Sequence, residues 1–418
     1  MRAFFQLAQL SAVLLTLSLG ASAPARADAA HPNPPPGRGA LAVFFEQAWA
    51  GQPAAASFSE RTRAATAQRE AASTWTAAPP SIEVGGRTDR YNRDRGSREQ
   101  ELGLVLPLWL PGERSQSQAL AEAEGEALHA RQRSTQLNLA QFVRDAWWAW
   151  LAAANEADLA QARLAAASRL RDDVARRFNA GDLSRADLNQ AAGARAQAEA
   201  QVAEAGAAEQ LARYRLQALG APLPASPEIV PEPEPAAAGA TAPHPRVQAL
   251  QGRAEVARQQ AALARVQSRS NPELTISTRR DRSTGGEAFD QTWALALRVP
   301  FGAGPRHEAR LATANAEAVE AEVELQREQA RINAEQGAYA AWVEAARQQA
   351  QAASQRAELA RENRRFYDKS FRLGETDLPT RLRIESEAME AERALVRARI
   401  AQAQGISQWR QALGLLPE

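Results

Sequence analysis

Between Gly125 and Gly181 the chain has no glycine and no proline, and the stretch is dense in Ala, Leu, Arg, Gln and Glu. These are strong helix formers. Apolar residues return three to six apart at Leu137, Phe142, Ala146, Trp150, Ala153, Leu159 and Leu164, which reads as a stripe along one helix face. A helix from about Pro111 to Phe178 would extend roughly 95–100 Å at 1.5 Å per residue. No compact globular domain of this size holds such a rod, so an elongated chain is expected.

The design returns about 193 residues later, an interval too long for a solenoid. From Arg306 to Phe371 there is one glycine, Gly337, and no proline. Landmarks match in order. Pro80-Ser81-Ile82 answers Pro272-Glu273-Leu274, and Leu106-Pro107-Leu108 answers Val299-Pro300-Phe301. Trp147 and Trp150 answer Tyr339 and Trp342. Phe178-Asn179-Ala180-Gly181 answers Phe371-Arg372-Leu373-Gly374, and Gln217-Ala218-Leu219-Gly220 answers Gln411-Ala412-Leu413-Gly414. The chain is therefore read as two large copies, 41–220 and 246–418.

Each copy carries a hairpin. In 81–107, Ile82 and Val84 alternate with Glu83 and Gly85, a polar loop follows, and Leu102, Leu104 and Leu106 alternate with Gly103 and Val105. In 273–300, Leu274, Ile276 and Thr278 alternate with Thr275, Ser277 and Arg279. After a loop with Gly285-Gly286, Trp293, Leu295, Leu297 and Val299 alternate with Ala294, Ala296 and Arg298. One side is small, polar or Arg and the other is Leu, Val or Trp, as suits strands between lipid and a wet lumen.

Helices fill the rest. A short one is expected at Leu41–Ala50 and another at Ala54–Ala77, stopped by Pro79 and Pro80. Long helices are expected over 113–177 and 306–370, with return helices over 185–219 and 379–413 that end at Gly220 and Gly414. In length, the pre-hairpin and return helices together nearly match one long helix, which predicts an antiparallel rod. Residues 221–245 hold eight prolines, Pro222 through Pro245, and read as an extended linker along the outside.

Residues 1–27 read as a secretory signal, with Arg2, an apolar core from Leu10 to Leu19, and cleavage after Ala27. Residues 28–40 are Pro-rich and irregular. The formal net charge of +1 carries no basic stripe for nucleic acid. The absence of cysteine excludes disulfides, thiolate metal sites and a cysteine nucleophile. His31, His129, His244 and His307 have no ligand spacing. No Ser/His/Asp arrangement, phosphate loop or HExxH motif is visible, so neither an enzyme nor a resident cofactor or metal is expected.

Four strands cannot close a barrel, and an open sheet edge cannot sit in lipid. If the hairpins are membrane strands, the chain must oligomerise, as a dimer with eight strands or a trimer with twelve.

The doubled pattern, the junctions LPLWLPGER and VPFGAGPR, and the turns FNAGDLSRADL and FRLGETDLPTRL resemble the TolC family of outer-membrane efflux ducts. The resemblance covers about Leu41 to Gly414. It implies a mainly α fold with membrane β: a long antiparallel helical barrel in the periplasm, plus four strands per chain in a trimeric twelve-stranded outer-membrane barrel. It implies a homotrimer in the outer membrane of a Gram-negative bacterium. Its partners would be a periplasmic adaptor and an inner-membrane RND-type transporter. It places adaptor docking at Gly181, Asp182, Leu183, Ser184 and at Gly374, Glu375, Thr376, Asp377. Glycine permits φ > 0 at these turns, and Ser184 and Asp377 suit helix N-caps. Where many members narrow the tip with two aspartates, this sequence has Thr380 and Arg383; Asp377 and Glu385 are the substitutes offered. The central aromatics Trp147, Trp150, Tyr339 and Trp342 read as girdle core, and Trp109 and Trp293 as interface aromatics.

The compact chain without a lipid-attachment cysteine looks most like the heavy-metal branch of CzcC- and CusC-like proteins, with heavy-metal cations as cargo. The alternatives are a multidrug-efflux or type I secretion duct, and a periplasmic coiled-coil structural or adaptor protein.

Overall fold

The computed structural model describes residues 39–418 apart from 93, 224–227, 236–242 and 303. The signal expected at 1–27 and the Pro-rich segment before residue 39 lie outside the described residues. The order of elements is α1 Ala40–Ala50, α2 Pro53–Ala56, α3 Phe58–Ser73, β1 Ser81–Thr88, β2 Arg98–Pro107, α4 Glu113–Asn179 and α5 Arg185–Gln217. Then come α6 Pro245–Val266, β3 Glu273–Arg282, β4 Asp290–Arg298, α7 Gly304–Arg372 and α8 Leu378–Ala412. The fold is mainly α with one small antiparallel sheet. No helix among the described residues is long and apolar enough to cross a membrane.

Helices α4 and α7 run 67 and 69 residues, about 100 Å each at the helical rise. Glycines at positive φ punctuate them. Gly112 (φ 79°) precedes α4, Gly181 (φ 87°) follows it, and Gly374 (φ 79°) follows α7. The single helix expected over 54–77 is instead α2 and α3, and it ends at Ser73 before either proline. Thr74 stops it: its hydroxyl bonds the Ala71 and Thr76 carbonyls, and its own carbonyl accepts from Trp109 Nε1 at 3.0 Å.

Helices α3 and α5 pack on α4 from one side, while α6 and α8 each touch both α4 and α7. The layer thus runs α3–α4–α6–α7 near the sheet and α5–α4–α8–α7 away from it. The sheet has the order β1-β2-β3-β4, antiparallel throughout. Chain connectivity makes the edge strand β1 contiguous with the edge helix α3, and β4 with α7.

The main core sits half-way along α4. Leu41, Phe44, Phe45 and Ala48 of α1 meet Leu139, Ala140, Val143, Trp147, Trp148, Trp150 and Leu151 of α4, with Leu216, Ile400 and Ala403. Trp147 and Trp150 stack edge-to-face at 5.6 Å. Elsewhere the helices meet through alanines, such as Ala254, Ala257 and Ala321, or Ala357 and Ala391 with Leu395. Small residues bring helix axes close, which is how a thin layer is built without a thick core.

Two expectations about this region change. Phe142, placed in the buried stripe, is 65% exposed, while Trp148 is 1% exposed and donates to Ser407 Oγ at 2.9 Å. The buried face follows Leu137, Ala140, Val143, Trp147, Leu151 and Ala154, a continuous 3.6-residue course that Phe142 does not share. In the second copy Tyr339 and Trp342 stack at 6.0 Å, yet Trp342 is exposed. Among the described residues no counterpart of α1 precedes α6 to cover that pair.

The linker also departs from an outside path: Ala221, Glu232 and His244 are buried. At Glu232 the burial is of a charge. Its carboxylate takes Arg144 Nε and Nη2 at 2.9 and 2.8 Å, and Arg410 Nε lies 3.3 Å away.

Candidate functional site

Two regions bear on function: the pair of turns that end the long helices, and the sheet.

At the first turn the backbone closes α4 through Gly181 N to Phe178 O (3.0 Å) and Asp182 N to Arg177 O (2.9 Å). Such reversed bonds need a left-handed residue, here glycine. Ser184 caps α5 in a reciprocal box: Asp187 N donates to Ser184 Oγ, and Ser184 N donates to Asp187 Oδ2 at 2.9 Å. Hydrogen bonds from Ser184, side chain before backbone, hold the Asp187 carboxyl below the usual range. The second turn repeats the design. Glu375 N donates to Ser370 O at 3.0 Å, and Asp377 caps α8 by accepting from Thr380 N at 3.1 Å. The Thr380 bonds hold Asp377 below the usual carboxylate range.

The fold brings the two turns together. Leu170, Val174, Leu183, Leu188 and Ala191 from the first copy form one apolar cluster with Phe371, Leu378 and Leu382 from the second. The Phe371 ring lies between two guanidiniums, Arg177 at 5.1 Å and Arg381 at 4.9 Å. Arg381 is held in turn by Asp368 at 2.5 Å. Sequence reading named the turn residues but missed Arg177, Phe371 and Arg381. The signal lay in the matched positions Phe178 and Phe371, of which only the second is buried.

Gly181, Asp182, Ser184, Gly374, Glu375 and Asp377 are exposed, and Leu183 and Thr376 are half-buried. Thr376 Oγ1 lies 2.6 Å from Ser370 Oγ. Glu385 lies 3.6 Å from Arg364, and Asp377 is engaged as the cap.

At the other end, in-register neighbours share a face of the sheet. One face carries rows such as Ile82–Leu104–Ile276–Leu295 and Val84–Leu102–Thr278–Trp293. Those apolar side chains stand in the open; Trp293 is 74% and Val84 81% exposed. The opposite face carries Ser81, Gly85, Gly103, Thr275, Ser277, Ala294 and Thr292, together with Glu83, Glu99, Glu101, Glu273, Asp281 and Asp290 against Arg87, Arg279 and Arg298. All three arginines there are paired: Arg279 with Glu99 at 3.1 Å, Arg87 with Glu99 at 3.6 Å, and Arg298 with Glu273 at 3.5 Å.

Glu113 fastens the sheet to the helices. Buried at the start of α4, it accepts from Leu110 N, Gln267 Nε2 and Asn271 Nδ2 at 2.9, 2.8 and 2.6 Å. Among the described residues no three His, Cys, Asp or Glu side chains are grouped to hold a metal.

Against known proteins, the profile described as "Outer membrane efflux protein" matches residues 45–221. The match falls within the first repeat and spans less than half of the chain. No curated protein sequence is significantly similar to the chain. Among solved structures, VceC of Vibrio cholerae superposes with a TM-score of 0.70 at 18% identity, covering 90% of this chain and 97% of that one. CusC gives 0.71 at 15% identity, covering 90% and 92%. The open-state MtrE channel of Neisseria gonorrhoeae gives 0.69 at 16% identity, covering 90% and 89%. These likenesses establish the fold, and they extend it through the second repeat.

Proposed function

We propose that this chain is the outer-membrane exit duct of a tripartite efflux system. It works as a homotrimer whose four-stranded sheets close into one twelve-stranded barrel. The observation that carries this reading is the coincidence of open edges. The sheet ends at β1 and β4, and the helical layer ends at α3 and α5 on one side and α7 on the other. A head-to-tail contact, β4 and α7 of one chain against β1, α3 and α5 of the next, closes sheet and helices in one rotation. Lipid demands that closure, since unpaired strand edges are not tolerated there. Exposed Val319, Val323, Leu359 and Phe366 on α7, and Leu211 and Tyr214 on α5, supply apolar surface along the expected joints.

With the apolar face turned to lipid, the polar face lines the exit. It carries six carboxylates against three guanidiniums. An acidic ring favours cations. This supports heavy-metal cations as cargo, conducted passively and driven by an RND-type transporter through a periplasmic adaptor. The adaptor docks on the exposed turns around Gly181 and Gly374. A tip that narrows on carboxylates has Asp377 and Glu385 to use, and both must first leave Thr380 and Arg364.

Growth of a deletion strain on divalent metals, copper, dyes and antibiotics tests the cargo. Sensitivity confined to metal cations, restored by the wild-type gene, is the expected result. Sensitivity to dyes and drugs with none to metals would assign the duct to multidrug efflux.

A further inference from the structure

Three more arginines lie on the sheet, on the apolar face. Arg98 and Arg282 are direct cross-strand partners, and Arg280 lies two residues along β3. All three sit beyond the apolar rows, at the end of the strands remote from the helices. Among the described residues none of them forms an ion pair, whereas Arg87, Arg279 and Arg298 on the opposite face all do. That apolar side has no carboxylate in any of the four strands. In the adjoining loops two carboxylates are turned to backbone: Asp89 Oδ2 accepts from Arg95 N at 2.8 Å, and Glu287 Oε2 from Thr284 N at 3.0 Å. Arg280 and Arg282 each lie over the Phe289 ring, at 4.7 and 4.8 Å from its centroid, so one side chain gathers both guanidiniums. Like charges directly opposed across a strand pair are destabilising, so an anion is wanted here.

We propose that Arg98, Arg280 and Arg282 bind the phosphates of a phosphorylated lipid in the outer leaflet. The apolar rows Val84–Leu102–Thr278–Trp293 and Ile82–Leu104–Ile276–Leu295 lie beside its acyl chains. Guanidinium geometry suits phosphate through paired N–H donors. Continuity with the apolar band selects a lipid over a soluble anion, because the same molecule then satisfies both surfaces. This rests on the sheet being a membrane barrel.

The test inserts purified protein into phosphatidylcholine vesicles with or without bisphosphorylated lipid A, and reads the temperature at which the oligomer dissociates. Lipid A should raise that temperature for the wild type and for an R87Q/R298Q control, and not for R98Q/R280Q/R282Q. Retention of lipid A by the triple variant should weaken on the order of a hundred-fold, as expected for three basic contacts to an anionic surface. Inorganic phosphate in lipid A-free vesicles should give no shift. An unchanged response in the triple variant, an equal loss in the control, or an equal shift from inorganic phosphate would overturn the proposal and leave the duct reading standing. Failure of the wild type to insert would overturn both.

Discussion

Arg144 grips Glu232 through two side-by-side hydrogen bonds of 2.9 and 2.8 Å, although 88 residues separate them and both side chains are buried. Arg144 also donates to Gln411 Oε1 at 2.5 Å and Leu415 O at 3.1 Å. Arg410 holds Pro233 O and the Glu418 carboxylate. One knot thus ties the first long helix, the linker and the C-terminus at mid-height. Removing one partner of a buried pair strands the other. Glu232→Ala should cost about 3–5 kcal/mol, read as a lowered unfolding midpoint. Arg144→Met with Glu232→Met should cost less than the sum of the two single changes. A loss of under about 1 kcal/mol for Glu232→Ala, the range of a surface pair, would contradict the account.

His244 predicts a pH dependence. Burial is the largest cause of its lowered pKa, relative to the ordinary 6.5, with Arg246 and Arg331 adding to it and Gln411 and Glu328 opposing. Its Nδ1 accepts from Arg246 N at 3.2 Å and caps α6. The unfolded chain binds the proton more readily, so this contribution is complete above 6.5 and drains as pH falls below it. Unfolding midpoints should drop between neutral and mildly acidic pH. His244→Asn, which keeps an acceptor for the cap without titrating, should flatten that slope.

Gly414 sits against the same residue at φ 77°, and an added Cβ would lie 2.5 Å from Pro245 Cδ and 3.0 Å from His244 Cδ2. Gly414→Ala should therefore destabilise by more than the roughly 1–2 kcal/mol of left-handed strain alone. By contrast Gly181, with φ 87° and nothing within 4 Å of where a Cβ would stand, should show the strain alone on Gly181→Ala. Equal unfolding midpoints for the two variants would refute the packing argument.

The turns predict a separation of function. Gly181→Pro or Gly374→Pro cannot adopt the positive φ found there, so the turn must rearrange while the distant sheet is untouched. Each variant should still insert in the outer membrane and lose efflux in cells. Full efflux in both would remove the turns from adaptor docking.

The doubled helix pattern and the alternating strands made the fold class legible, because Gly181 and Gly374 punctuate long runs of helix formers, and Ile82, Val84, Leu102, Leu104 and Leu106 recur at every second position on either side of a polar loop. The core was less legible. In an Ala-rich helix Phe142 and Trp148 offer equal apolar signals, and only packing against α1 and α8 separates them. Arg144 read as one of many solvated charges, since its partner lies in a proline-rich segment with no local periodicity. At the turns, Gly181 and Ser184 carried their own chemistry, whereas the Arg177–Phe371–Arg381 stack joins two copies, and the sequence marked only the matched Phe178 and Phe371. On the sheet, Arg279 was legible on the polar face, but Arg280 and Arg282 continue past the apolar rows, where alternation no longer says what they meet.

A duct requires that one face of the sheet line a water-filled exit and that the other meet lipid. The chain has no cysteine, so single cysteines give clean probes. Thr292→Cys and Ala294→Cys lie on the polar face, and Ile276→Cys and Leu295→Cys on the apolar face. In cells, a charged, membrane-impermeant thiol reagent should modify the first pair rapidly and leave the second pair unmodified until the membrane is dissolved. Equal labelling of all four, or labelling of the apolar pair alone, would contradict the duct.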